Sequence, residues 1–258
     1  MIEEKNICQA YIKHRKKKTL ENINLSVKKK AITALIGSNG AGKSTLLGVM
    51  SNMIPPLSGE VLIDGVNIRT LKPCELAKKI AILKQTHHIS IRITVKDLVE
   101  FGRFPHSRGR LSDFDRKKVK ESIAYMNLTE MEDRYLDELS GGQRQRAFIA
   151  MVLAQDTPYI FLDEPLNNLD VKYSVEMMRI IKKLVSELGK TVVVVLHDIN
   201  FASAYADYIV AMKNGRIIGE GRPEQVITKE VLDEVFDHDF NIVSYQVRNA
   251  CLYFDRVS

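Results

Sequence analysis

Two glycine-rich stretches carry the clearest chemistry. "GSNGAGKST", residues 37–45, fills the pattern G-x-x-x-x-G-K-[ST] with Gly37, Gly42, Lys43 and Ser44. Its glycines let backbone N–H groups curl around an anion without side-chain clash. The helix expected to begin near Lys43 adds the positive end of its dipole. Lys43 brings a mobile charge to the outer phosphates, and the Ser44 hydroxyl is a ligand for Mg²⁺. The bland reading, a chance glycine-rich turn, does not explain strand, loop, lysine, hydroxyl and helix in this order.

The second stretch, "LSGGQRQR", spans residues 139–146. Ser140 is a natural N-cap, and Gly141 and Gly142 allow close backbone approach as the next helix starts. An ordinary capped helix is the alternative. Yet glycines in a first turn weaken a helix, which suggests that something comes very near. Between these stretches and the C-terminus lie two further candidates. "YIFLDEP" puts Asp163 and Glu164 at the end of an apolar run: Asp163 as a partner of Mg²⁺, Glu164 to polarise the water that attacks a γ-phosphate. Adjacent acids also serve as caps or surface charge, but four apolar residues before them and the phosphate loop upstream favour function. "TVVVVLHD" ends in His197, at the strand end where open α/β sheets bind ligands. A lone histidine there is also a usual packing residue, and both readings stay open. His14, His87, His88, His106 and His238 show no ligand spacing.

These groups need elements to hold them. Residues 1–30 alternate apolar and polar, which predicts antiparallel strands with one wet face. "AITALIG" reads as a buried parallel strand, followed by a helix over "STLLGVMSNM" that Pro55 and Pro56 stop. Hairpins are expected around Asp64-Gly65 and Asn214-Gly215. Residues 86–156 read as helices with little strand signal. Then "YIFLDE", a helix from about Tyr173 to Leu188 ending at Gly189, and "TVVVVLHD" form a strand–helix–strand unit, which calls for parallel strands. After Pro223 come a short helix and a polar tail with strand-like pieces, "NIVSYQV" and "CLYF".

The chain has 258 residues, 45% hydrophobic and 27% charged, enough for one large domain with a full core. Its net charge of +6 fits either an affinity for phosphates, headgroups or nucleic acid, or a solvated lysine-rich surface. The basic runs Lys13–Lys18 and Lys28–Lys30 lack the interleaved aromatics of a single-strand nucleic-acid groove. Cys8, Cys74 and Cys251 are odd in number and too far apart for a metal knuckle, which points to a reducing cytosol. The N-terminal "MIEEKNICQAY" has no apolar signal core. The longest apolar runs, "AFIAMVLA" and "TVVVVL", fall far short of the roughly 20 residues of a membrane span. Any membrane role is expected to come through a partner.

Together these residues resemble the ATP-binding cassette family over nearly the whole chain, in the family's order. "GSNGAGKST" resembles its Walker A loop, "YIFLDE" its Walker B strand and "LSGGQ" its signature motif. Gln85 in "ILKQ" sits where the Q-loop glutamine would be, "NNLD" ending at Asp170 resembles the D-loop, and His197 the switch histidine. Tyr11 looks like the aromatic residue that stacks on adenine. The resemblance implies an α/β fold: a P-loop nucleoside triphosphatase core with an antiparallel β subdomain and an inserted all-helical subdomain. Residues 1–85 and 157–222 would form the core, 86–156 the helical subdomain and 223–258 an extension.

It further implies ATP and Mg²⁺. Gly37, Ser38, Asn39, Gly40, Ala41, Gly42, Lys43, Ser44 and Thr45 would hold the phosphates. Ser44, Gln85 and Asp163 would arrange the metal, Glu164 would act on water, and His197 would steady the γ-phosphate. Ser140, Gly141, Gly142, Gln143 and Asp170 would meet nucleotide at the interface of a head-to-tail dimer. "ITVKDLVEFGRFPHSRGRLS" and "YLDELSGGQRQRAFIAMVLAQDTPYIFLDEPLNNLD" are similar to the ATPases of iron–siderophore, haem and vitamin B12 importers, the siderophore group above all. That implies a peripheral subunit on the cytoplasmic face of the membrane. Two integral membrane permease subunits would dock on its helical subdomain, an extracytoplasmic substrate-binding protein would be an indirect partner, and nucleic acid would not be one. Leu166, where many relatives have threonine, and Lys84 depart from the pattern without removing a catalytic group. The rivals are a soluble cassette ATPase of the iron–sulfur assembly type, an importer of haem, vitamin B12 or another substrate, a nucleic-acid-linked cassette, and an exporter subunit.

Overall fold

The computed structural model describes residues 1–9, 19–84 and 91–252. Tyr11 and Gln85 lie outside the described residues. In chain order the elements are β1 (Ile2–Gln9), β2 (Leu20–Val27), β3 (Ile32–Gly37), α1 (Lys43–Met50), β4 (Ser58–Ile63), β5 (Val66–Asn67), α2 (Pro73–Ala77), β6 (Ile80–Leu83), α3 (Val95–Phe101), α4 (Phe104–Ser107) and α5 (Asp113–Tyr125). There follow α6 (Gly141–Ala154), β7 (Tyr159–Asp163), α7 (Val171–Ser186), β8 (Thr191–Val195), α8 (Ile199–Tyr205), β9 (Tyr208–Lys213), β10 (Arg216–Gly221), α9 (Pro223–Val226), α10 (Lys229–Phe236), β11 (Asn241–Tyr245) and β12 (Arg248–Leu252). They group into two compact units, residues 1–70 with 191–258, and residues 71–190. Among the described residues no helix is long and apolar enough to cross a membrane.

The first unit holds an antiparallel sheet in the order β2-β1-β4-β5 and a run of strands in the order β10-β9-β3-β8. β3 is parallel to both β8 and β9, while β10 turns back antiparallel on β9. Every residue of β3 and β8 is buried, which is why both read as unbroken apolar, β-branched runs. Both expected hairpins form. Asp64 and Gly65 have φ of 52° and 80°, Asn214 and Gly215 of 50° and 79°, the left-handed pair that a tight two-residue turn requires. Of the strand-like tail pieces, "NIVSYQV" contains β11, and Cys251 and Leu252 of "CLYF" end its hairpin partner β12; Tyr253 and Phe254 lie outside the described residues.

The second unit pairs β6 with β7 in parallel and carries the expected helices. α7 buries Ser174, Met177, Met178, Ile181 and Leu184, a stripe at helical spacing. It is capped at its start by Asp170, whose Oδ1 accepts from the Tyr173 amide at 2.9 Å. It ends at Ser186, a little before the expected Leu188, and Gly189 with φ of 62° follows in the turn, its amide donating to the Val185 carbonyl at 3.1 Å. α3, α5 and α6 start with reciprocal caps from Thr94, Ser112 and Ser140.

Candidate functional site

Gly37 ends β3 with φ of 145°, and a Cβ there would lie 2.2 Å from the Met212 carbonyl oxygen of the neighbouring β9. No other residue fits, so strand packing forces glycine at the first position of the loop. The chain then turns through exposed Ser38, Asn39 and Gly40, closed by the Ala41 amide donating to the Ser38 carbonyl at 3.1 Å. The Ala41 carbonyl is held by the Gly215 amide at 2.9 Å, from the β9–β10 turn. Gly42 is the N-cap of α1 and brings no side-chain acceptor to it. Lys43 is buried, and its Nζ donates to the carbonyls of Gly37 at 2.7 Å and Ser38 at 3.0 Å. The ammonium is thus folded back across the mouth of its own loop. Ser44 is exposed and Thr45 buried.

His197 belongs to the same unit and the same strand ends. In register Leu35 of β3 faces Val195 of β8, and the Leu196 amide donates to the Leu35 carbonyl at 3.1 Å. Gly37 and His197 are each two residues further on, so the histidine leaves its strand beside the one that feeds the phosphate loop. His197 is exposed, and Asp198 after it caps α8 by accepting from the amides of Asn200 and Phe201.

The second unit carries the carboxylates and the second glycine pair. β7 is buried throughout and delivers Asp163 at its end, 9% exposed. Glu164 follows with φ of 52°, a left-handed conformation costing a non-glycine residue about 1 kcal/mol or more. A tight turn offsets this: the Asn167 amide donates to the Glu164 carbonyl at 3.2 Å, and the Asn167 side chain donates to Glu164 Oε2. Asn167 is a residue that sequence reasoning missed. The turn runs on through Asn168 to Asp170 and α7.

At the head of α6, the Ser140 amide donates to Gln143 Oε1 at 3.0 Å and the Gln143 amide donates back to Ser140 Oγ at 3.3 Å. The two glycines differ. A Cβ on Gly142 would stand 2.9 Å from the Tyr173 ring in α7, so its presence has a reason inside the chain, and its need for an outside ligand is not implied. A Cβ on Gly141 would meet nothing nearer than the Asn168 carbonyl oxygen at 3.9 Å. Gly141 therefore keeps its room open, next to the turn that bears Asp170.

The "FGRFPHS" segment is built into the other end of the same helix. Arg103 is buried and forks: Nε and Nη2 reach Asp115 Oδ1 at 2.9 and 2.8 Å, and Nη1 donates to the Ala154 carbonyl at 2.8 Å. Burial alone would raise the Asp115 pKa, but the hydrogen bonds from Ser112 and the guanidinium bring it down to about 2. His106 Nε2 lies 2.9 Å from the Gln155 carbonyl oxygen. Phe101, Phe104 and Phe114 remain exposed around this anchor.

A strand–loop–helix phosphate cradle followed by an acidic strand end defines a P-loop nucleoside triphosphatase. Residues 20–167 match the family model for the ABC transporter, and the chain belongs to that family, as an ATPase. It is 55% identical over 254 residues, 98% of this chain and 100% of the relative, to the petrobactin import ATP-binding protein YclP of Bacillus subtilis (strain 168). To the petrobactin import ATP-binding protein FatE of Bacillus anthracis it is 45% identical over 221 residues, 86% of this chain and 88% of the relative. Among solved structures it is similar to a dimeric ATP-binding cassette in a post-hydrolysis state bound to ADP and Pi. The TM-score is 0.76 at 35% identity, covering 86% of this chain and 98% of that one.

Proposed function

We propose that this chain is the ATP-hydrolysing subunit of an importer for ferric siderophores, seated on the cytoplasmic face of the membrane. The observation that carries the transport reading is its similarity, over 98% of its length, to a relative named for petrobactin import. In the proposed complex two copies close head to tail over two ATP molecules. Two permease subunits grip the subdomain expected over residues 86–156, in which Phe101 and Phe104 present apolar surface. An extracytoplasmic binding protein delivers the substrate from the far side. The cassette resolved as a dimer with ADP and Pi supports the pairing.

Tyr11 stacks on adenine, and Gly37 to Thr45 wrap the phosphates. Lys43 exchanges the Gly37 and Ser38 carbonyls for phosphate oxygens, a swap that keeps its charge satisfied in both states. The residues fit Mg²⁺: the Ser44 hydroxyl, the Gln85 amide and the Asp163 carboxylate are hard oxygen donors. Few of them are needed, because this ion is usually held by one or two carboxylates plus phosphate oxygens. When bound, the ion neutralises charge on the β- and γ-phosphates. Glu164, steadied by Asn167, takes a proton from the attacking water as the bond to the β-phosphate oxygen breaks. His197 donates a hydrogen bond to the γ-phosphate. Ser140, Gly141, Gly142, Gln143 and Asp170 close over the nucleotide of the other copy, with Gly141 leaving room for the close approach.

Uptake of radiolabelled ferric petrobactin by cells lacking this chain tests the reading. Import should be lost and restored by the parent chain but not by Glu164→Gln. Import at the parental rate without the chain would overturn the substrate class.

A further inference from the structure

α8 is seven residues long, too short to hold its own shape, since isolated helices below roughly 12 residues are marginal in water. Its direction is therefore set by what it packs against. It leaves the strand end at His197, so the same packing sets where the imidazole sits. On one side α8 rests against β3. On the other it is stitched to the C-terminal hairpin.

The stitching is specific. The Asn200 side chain makes two hydrogen bonds to one residue of β12: its Nδ2 donates to the Cys251 carbonyl at 3.1 Å, and its Oδ1 accepts from the Cys251 amide at 2.7 Å. One amide side chain thus does for Cys251 what a neighbouring strand would do. One turn along, Ser203, itself buried, donates from Oγ to the Asn249 carbonyl. The hairpin is anchored in turn beyond α8. Asn249 Nδ2 donates to the Ile227 carbonyl at 2.9 Å, and Arg248 pairs with Glu224 of α9 at 3.0 Å. Cys251 is buried under this seam, while Val243 and Tyr245 on the other face of the hairpin are exposed. The loaded face of the hairpin is the one that meets α8.

We infer that the hairpin β11–β12 is a positioning element for hydrolysis, with Asn200 and Ser203 as positioning residues that hold α8, and through it His197, at the γ-phosphate end of the site. This rests on the reading of His197 as a γ-phosphate contact. The phosphate loop depends on β3, β9 and the Gly215 turn instead, so ATP binding and the chemical step separate. Loosening the hairpin misplaces the histidine and leaves the cradle intact.

The test is a double-variant cycle on the full chain, with kcat, ATP affinity and thermal unfolding measured for Asn200→Ala, His197→Ala and the pair. Asn200→Ala should lower kcat about tenfold, since small misplacements of a catalytic group cost that much or more, with Kd for ATP unchanged. In the His197→Ala background the second substitution should cost no further rate, because both act at one point. Ser203→Ala should show the same split more weakly, and it decides the matter if Asn200→Ala fails to fold. Parental kcat in both Asn200→Ala and Ser203→Ala, with His197→Ala slow, would overturn the inference alone. Losses that multiply in the double variant, or a Kd that weakens in step with kcat, would mark a merely structural seam and overturn it too. His197→Ala at the parental rate would overturn the reading of the histidine, and the inference with it.

Discussion

Lys43 is the residue on which the proposed nucleotide binding most directly depends. Its ammonium is buried among loop carbonyls, so truncation removes a charge-assisted contact that neighbours cannot replace. Lys43→Ala should weaken ATP binding roughly ten- to hundredfold, the worth of about 1.5–3 kcal/mol of charged hydrogen bonding, as read by calorimetry. Undiminished affinity would count against the cradle. The residues of this loop are legible in the sequence because each has a reason: Gly37 is forced by the Met212 carbonyl, and Lys43 and Ser44 fill the phosphate-loop pattern for the charge and metal proposed to sit there. Asn167 is not legible. "NNLD" resembles the D-loop through Asp170, which says nothing of Asn167, and the left-handed Glu164 is what accompanies the Asn167 amide on its carboxylate. Asn200 is hidden for a similar reason, since its partner is backbone some fifty residues away and no side-chain pattern marks it.

At the scale of elements, β1 departs from its sequence pattern. Alternation predicts one wet face, yet Glu4 is 3% exposed, in register with Leu25 of β2 and Val61 of β4. The cause is an irregularity between Glu4 and Ile7, with Asn6 at φ of 53°, which shifts the phase of the strand. Before it Ile2 and Glu4 face inward; after it Ile7 and Gln9 do. A register break of this kind leaves no mark in composition. Among the described residues neither Glu4 oxygen finds a hydrogen-bond partner, and burial pushes the carboxyl pKa well above the ordinary 4.5. Folding then takes up a proton, so stability is greatest where Glu4 is protonated in both states. It declines as pH rises from 4.5 through the folded value. Glu4→Val should remove that decline and stabilise by about 1–3 kcal/mol at neutral pH, the cost of burying an unpaired polar group. Melting followed against pH checks this. A variant no more stable than the parent at pH 7, or a gain that shrinks with rising pH, would contradict the assignment.

Most other elements follow directly from their residues. Unbroken β-branched runs give β3 and β8, paired asparagine or aspartate with glycine gives the hairpins, and serine or threonine three residues before an acid or amide opens α3, α5 and α6. The tail is the exception. "NIVSYQV" and "CLYF" show strand character, but their role comes from the hydrogen bonds to α8, which depend on the whole first unit being folded.

For the whole molecule, one chain supplies two glycine-rich helix starts of different character. The phosphate loop is complete, with its lysine folded inward. The α6 start is capped, packed under Tyr173 at Gly142 and open at Gly141. The first suits an anion held by its own chain, the second a nucleotide brought by another. The Arg103 fork ties the far end of α6 to the segment proposed to face the permease, and so links that segment to the helix proposed to close on the partner's ATP. This order of parts is legible in the sequence as motifs. The fork is not legible: only the segment "FGRFPHS" that carries Arg103 stands out, as a resemblance, because a buried arginine with two partners has no signature in composition.

ATP turnover per chain, measured across protein concentrations while sedimentation velocity reports the oligomer present, tests the central claim most directly. Turnover should rise and fall with the fraction of chains in dimers and vanish on dilution to monomer. Full turnover per chain in a strictly monomeric sample would contradict it.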